Sequence, residues 1–352
     1  MGKIISYIVE IHRERIEPSA NFIEFALYIS FFPTILSGPI DRPNTFLPQL
    51  RKVHHFDYAL AVDGCRQILW GMFTKMCIAD NLSEFTDKGL ENFASYNGFV
   101  LLLLSFLYTI QMYADFAGYS NMAIGVGKIL GFRVAQNFNH PLLAKNVADF
   151  WRRWHISLTS WITDYVFMPL NFTFRNLGKT GIIYAILINL IVIGFWHGAN
   201  WTYGVYGLYH GLLFIPLILA GNFGKKDQLE PNSLGLPRLS DFLKMLMTFT
   251  LVTFGLIIFR TPSITCAFSY ICQIFTHFEF VTPQLGISSS TYIFIGILLI
   301  AEWLKRKCEF ELQVEQTGLL SHTSLRWGVY LILSLSIFFF SGNQTDFIYF
   351  QF

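Results

Sequence analysis

Three apolar runs, at residues 181–196, 203–220 and 242–259, limit what this chain can fold into more than any other feature. The third is about 18 residues long, enough to cross a hydrocarbon core at a rise of about 1.5 Å per residue. Runs of that length leave few options in water. The whole chain is 53% hydrophobic and 14% charged, with a mean hydropathy of +0.45. Soluble domains carry roughly 25% charged residues, so this chain could not cover its own surface as a soluble fold. The expected class is all-α: a polytopic integral membrane protein of roughly eight to ten membrane helices, with re-entrant pieces, organised as one domain over residues 1–352.

Other segments complete that count. Residues 22–36 are apolar and end in Ser37-Gly38-Pro39-Ile40-Asp41-Arg42-Pro43, where two prolines and a glycine forbid continued helix. Phe46 to Leu50 is too short to span and reads as re-entrant or interfacial, tolerated where protein or water satisfies its backbone. Residues 58–79 suit a helix that Asp63, Arg66 and Lys75 would keep buried or interfacial. Residues 99–112 form a span that runs on to Gly127, and Ala114, Ala117, Gly118, Ser120 and Ala123 there allow close helix approach. Residues 137–169 are polar but hold Trp151, Trp154 and Trp161, so one or two interfacial or cavity-lining helices are expected. Residues 221–240 read as a loop, and 291–303 and 329–340 as short spans.

The net charge of +2 and the lack of a long basic run give no sign of a nucleic-acid partner. Basic clusters at Arg51-Lys52, Arg152-Arg153, Lys225-Lys226 and Lys305-Arg306-Lys307 mark candidate cytoplasmic loops, with absolute topology left open. The five cysteines show no metal-ligand spacing, so neither disulfides nor a bound metal is expected. The start lacks a signal-peptide layout. No Gly-x-Ser-x-Gly elbow and no nucleotide-binding glycine loop appears.

Histidines carry the chemistry. His197 closes the first apolar run in Trp196-His197-Gly198-Ala199, and an ionisable group at membrane depth is a functional candidate by default. An imidazole can take a proton and return it near neutral pH. His155 sits among charges and indoles in Phe150-Trp151-Arg152-Arg153-Trp154-His155-Ile156-Ser157, and His210-Gly211 forms a second His-Gly pair. The plain alternatives are a carbonyl-bonded buried histidine for His197, an interfacial anchor for the Arg152 to His155 segment, and packing for His210. Asp115 needs a partner or a water-lined cavity, and Arg152 or Arg153 could supply the former.

Taken together, Ser37-Gly38-Pro39-Ile40, Asp115-Phe116-Ala117-Gly118-Tyr119-Ser120, Asp149 to Leu158 and Phe195-Trp196-His197-Gly198-Ala199 occur in an order that resembles the membrane-bound O-acyltransferases. The resemblance is strongest to the bacterial branch of alginate O-acetylases and teichoic-acid D-alanyl transfer proteins, and the ending at 346–352 looks like the terminus of that branch. It implies tilted helices around a central tunnel. His197 and His155 would be the catalytic residues, with Asp115, Tyr119, Arg152, Trp154, Trp196, Asn200 and His210 lining the tunnel or supporting them.

No bound cofactor is implied. The donor would be an acyl thioester, acetyl-CoA or an acyl carrier. The partners would be the lipid bilayer and an extracytoplasmic polysaccharide or a periplasmic or secreted acyltransferase, with the chain in the cell inner membrane. Acetyl is the expected acyl group, and D-alanyl transfer to teichoic acid the alternative. From other classes come a transporter with a histidine proton relay, which should show repeats that are not found, and an inactive truncated remnant. Compared with the branch, the chain also reads as N-terminally shortened, its first residues resembling the tail of a helix.

Overall fold

Every regular element among the described residues is helical, as expected where backbone groups in lipid must be satisfied within their own segment. The computed structural model describes residues 2–225, 231–232, 235–281, 285–316, 318–345 and 347. Lys226 and, Phe347 apart, the terminal motif at 346–352 therefore lie outside the described residues.

In chain order the helices are α1 (Gly2–His12), α2 (Phe22–Ser30), α3 (Pro43–Leu50), α4 (Tyr58–Phe73), α5 (Asp80–Glu91), α6 (Gly98–Ile129), α7 (Val147–Arg153), α8 (Ile156–Ile162), α9 (Met168–Thr173), α10 (Lys179–Trp196), α11 (Trp201–Leu219), α12 (Leu239–Arg260), α13 (Ile264–Thr276), α14 (Ser289–Leu304) and α15 (Thr323–Phe340). Of these, α6, α10, α11, α12 and α15 are long and apolar enough to cross a membrane, and α13 and α14 are shorter apolar helices. The chain is thus a multi-pass membrane protein.

Several boundaries differ from the sequence reading. The run at 22–36 is helical only to Ser30, because Pro33 cannot continue the ladder. Phe46 to Leu50 lies within a short helix that starts on Pro43, a residue suited to a first helical turn. Residues 137–169 hold short helices broken at Trp154-His155 and at a π-helical turn, Thr163–Phe167, rather than one or two continuous ones. The last span starts at Thr323, six residues before its apolar core, and becomes 18 residues long.

The chain folds as two compact units. The first draws on Met1–Asp80, Tyr113–Asn139 and Tyr292–Tyr349. Tyr28, Phe31, Phe46 and Leu47 form a small core there between α2 and α3. Within this unit α4 crosses the second half of α6 on glycines spaced seven apart. A Cβ on Gly64 would meet the Gly125 carbonyl at 2.5 Å, and one on Gly71 would meet the Gly118 carbonyl at 2.5 Å. Only hydrogen fits between these backbones, which is how helices gain packing energy in lipid. Helix α15 is 11% buried along its span and leaves its apolar side chains to the membrane.

The second unit draws on Asn81–Met112 and the described residues of His140–Thr291. Leu101, Ile257, Tyr270 and Ile274 pack the first half of α6, α12 and α13 into a core. Buried hydroxyls tie these helices: Thr109 to Thr253 at 2.8 Å and Ser105 to Tyr270 at 3.2 Å. Helices α10 and α11 form a tight antiparallel hairpin that carries His197 at its turn.

Candidate active site

The hairpin turn is built by small residues. A Cβ on Gly194 would lie 2.0 Å from the Tyr203 carbonyl, and one on Gly207 2.2 Å from the Leu190 carbonyl. The two backbones therefore touch, and the connection can be as short as His197 to Asn200. His197 caps α10, its N–H donating to the Gly194 carbonyl at 3.0 Å. Gly198 follows at φ 151°, where a side chain would be strained. Asn200 then starts α11 by accepting from the Thr202 N–H at 3.1 Å.

This geometry fixes the imidazole at the end of an apolar helix against an aromatic wall. The His197 ring meets Phe259 edge-on at 5.0 Å and Tyr203 at 6.3 Å. Its Nδ1 is buried, yet the residue as a whole is only half-buried. The ring is held, and part of it remains reachable. Trp196 packs on Trp161 at 5.4 Å, which joins the hairpin turn to α8.

His155 belongs to that same neighbourhood: the two imidazoles are close enough to interact electrostatically. It is buried, 5% exposed, and starts α8 from a left-handed backbone at φ 45°, ψ 50°. That conformation costs a non-glycine residue on the order of 1–3 kcal/mol and persists only where its surroundings over-determine it. They do so here. The Thr159 N–H donates to the His155 carbonyl at 2.9 Å, and the Thr159 hydroxyl donates to the Trp154 carbonyl at 3.1 Å. Trp154 is itself stacked on Phe150 at 5.3 Å.

His210 is fully buried one face along α11. The Trp151 indole N–H donates to its Nδ1 at 3.3 Å, which puts the ring proton on Nε2. Nε2 has no hydrogen-bond partner among the described residues and faces Gly255, where a Cβ would come within 2.5 Å.

Arg152 binds the carbonyls of Phe223 and Lys225 at 3.4 and 3.1 Å and lies 3.7 Å from Asp149. Arg153 pairs with Asp149 at 3.0 Å. Both ends of the Asn200 amide hold helix termini, Nδ2 donating to the Pro262 carbonyl at 3.2 Å. Asn200 thus caps α11 and ties it to the link between α12 and α13.

Asp115 and Tyr119 belong to the other unit. Asp115 pairs with Lys75 at 2.8 Å, which corrects the expectation of Arg152 or Arg153 as its partner. Lys75 also meets Asp80 at 2.6 Å and donates to the Thr345 carbonyl at 3.2 Å. Its segment, Thr74–Ala79, is a π-helical turn, a distortion frequent at functional positions. Tyr119 stacks on Phe347 at 4.6 Å, with its hydroxyl at the Ser37 backbone. The first two motifs thus meet in one unit, and the last two in the other. Sequence reasoning missed Lys75, Tyr203 and Phe259. A lysine within an apolar helix was a legible sign for the first, but the aromatic wall was indistinguishable from ordinary lipid-facing residues.

Comparison with known proteins identifies the family. Residues 13–229 match the model of MBOAT, the membrane-bound O-acyltransferase family. A probable alginate O-acetylase of Pseudomonas aeruginosa is 34% identical over 301 residues, 84% of this chain and 54% of that protein. A peptidoglycan O-acetyltransferase of Helicobacter pylori is 29% identical over 95% of this chain and 65% of its own length. A teichoic acid D-alanyltransferase of Bacillus subtilis is 35% identical over 66% of this chain and 60% of its own length. The chain therefore spans between about half and two thirds of the length of these relatives. Four motifs in register, an all-helical membrane architecture and a family match over most of the chain have one meaning: the chain belongs to the membrane-bound O-acyltransferase family.

Proposed function

We propose that the chain is an integral-membrane O-acyltransferase of the cytoplasmic (inner) membrane. It moves an acetyl group from a thioester donor, acetyl-CoA or an acyl carrier, on the cytoplasmic side. The acceptor is a hydroxyl of an extracytoplasmic polysaccharide, or a partner protein that completes the transfer. The observation that carries this reading is the placement of His197: an imidazole clamped at a glycine-packed hairpin turn, next to His155, at the end of a membrane helix.

In this reaction the His197 imidazole takes the proton of the acceptor hydroxyl as its oxygen attacks the thioester carbonyl. The C–S bond then breaks, and the proton passes on to the thiolate leaving group. General-base catalysis of this kind contributes roughly 10²–10⁴-fold. Holding both substrates at a fixed ring supplies the orientation, and the aromatic wall of Phe259 and Tyr203 limits access of water that would hydrolyse the thioester. Acetyl is favoured over D-alanyl because the alginate and peptidoglycan relatives are both named as O-acetyl enzymes.

The test is ester analysis of cell-surface polymer from strains expressing the native chain or His197→Ala. The variant should accumulate in the membrane normally and leave the polymer without the ester, and the acid released by mild base from the native strain should be acetate. Equal ester content in both strains would remove His197 from the mechanism. Release of D-alanine would shift the substrate to the teichoic-acid reading.

A further inference from the structure

We propose that His210 and Trp151 form a buried positioning pair that sets His155 against the hairpin turn carrying His197. The chemical roles of His155 and His197 rest on the acyl-transfer reading, whereas the way they are held rests on the packing of the second unit.

His210 does not touch a substrate. It is 0% exposed, and its Nε2 is sealed from solvent. Its ring is closed in by three helices. The backbone of α12 presses on it at Gly255, where a Cβ would come within 2.5 Å of Nε2. Tyr206 and Tyr209 of α11 meet it edge-on at 4.7 and 5.4 Å, and Trp151 of α7 does so at 5.3 Å with the two planes at 90°. These walls leave the imidazole one orientation, and in it Nδ1 receives the Trp151 indole N–H at 3.3 Å.

Packing alone does not call for an imidazole here, because a phenylalanine would fill the space without burying a polar ring. What the imidazole adds is an acceptor with a direction. The indole that it fixes belongs to α7, which is seven residues long and too short to keep its place unaided. Trp154 ends that helix, its N–H donating to the Phe150 carbonyl at 2.9 Å, and His155 follows directly in its left-handed turn. On the other side, His210 reaches His197 through packed rings. Tyr206 lies on Phe259 at 5.1 Å, and Phe259 meets His197 at 5.0 Å. Arg152 also ties α7 down, but to the Phe223 and Lys225 carbonyls beyond the far end of α11 from His197. The Trp151–His210 bond is therefore where the His155 segment and the His197 hairpin are set in register.

The test compares the native full chain with His210→Phe, His210→Asn and Trp151→Phe in detergent. Phenylalanine keeps the volume and loses the acceptor, whereas asparagine loses volume and keeps an oxygen at the position of Nδ1. Diethyl pyrocarbonate labels accessible imidazoles, and mass spectrometry reads each histidine separately. Buried His155 is labelled through local opening of its segment. Its labelling should rise about tenfold in His210→Phe and Trp151→Phe, equivalent to about 1.4 kcal/mol for a buried group that loses its partner. In His210→Asn it should stay near the native rate. Exposed His12 and His55 should label equally in every chain, which reports an intact fold.

Ester content of the cell-surface polymer should follow the same order, with His210→Asn above His210→Phe. A packing role gives the reverse order, since asparagine leaves a cavity and phenylalanine does not. That reverse order, or unchanged His155 labelling in His210→Phe, would overturn the pair. Labelling needs no acyl donor, so it decides the pair by itself. Absence of ester in the native strain would instead count against the acyl-transfer reading.

Discussion

His155 occupies a backbone conformation that glycine adopts freely and histidine does not. A residue retained for packing alone would gain from replacement by glycine here, so the two substitutions Ala and Gly separate strain from chemistry. His155→Gly should keep or raise detergent thermostability, because relief of the strain offsets the lost packing of the buried ring, whereas His155→Ala should lower it, because alanine keeps the strain and loses that packing. Both should lose acyl transfer to a similar extent. If activity followed thermostability instead, His155 would be a structural residue. Combining His155→Ala with His197→Ala should be no worse than His197→Ala alone, since residues acting as one unit are strongly non-additive. Independent losses that multiply in a reconstituted assay would assign the two histidines to separate steps.

At the scale of elements, the α10–α11 hairpin turns a backbone contact into a position for His197. Gly207→Val would drive side-chain atoms into the Leu190 carbonyl, 2.2 Å from the Cβ position. Overpacking of this kind costs typically 1–3 kcal/mol, and a shift of about 1 Å at the turn would misplace the imidazole. Gly296→Val is the matched control, because its Cβ meets nothing within 4 Å. The expected result is loss of stability and activity in the first variant and no loss in the second. Equal behaviour of the two would show that the hairpin does not need its close approach.

The hairpin itself was legible in the sequence, since an apolar run, a short Gly198-Ala199-Asn200 link and a second run leave little else to form. The full length of α15 was not, because Ser324, Arg326 and Trp327 look like loop until they are placed at the head-group end of a helix. Nor was the partner of Asp115. Lys75 is 40 positions away, and only the packing of α4 against α6 brings the two together. The left-handed backbone at His155 left no trace either, for no glycine marks it.

For the molecule as a whole, a buried carboxyl makes stability depend on pH. Asp41 is 2% exposed in the link between α2 and α3, where its Oδ1 accepts from the Ala135 N–H at 2.9 Å. Lys3, whose ammonium donates to the Thr34 hydroxyl at 2.7 Å, favours the ionised carboxylate, but burial prevails and pushes the Asp41 carboxyl from 3.8 up to about 6. A carboxyl whose folded value is raised stabilises the fold fully below the unfolded value, and that contribution is lost as pH rises through the folded one. Between about pH 4 and 6 the folded chain holds a proton that the unfolded chain has released, a difference on the order of 3 kcal/mol. Asp41→Asn keeps an acceptor for Ala135 and cannot ionise. The melting temperature of the native chain in detergent should therefore fall relative to Asp41→Asn as pH rises from 4 to 7, and the difference should level off above about 7. A difference constant across that range would mean that α1, α2 and the Ala135 segment are held together without a titrating group at Asp41.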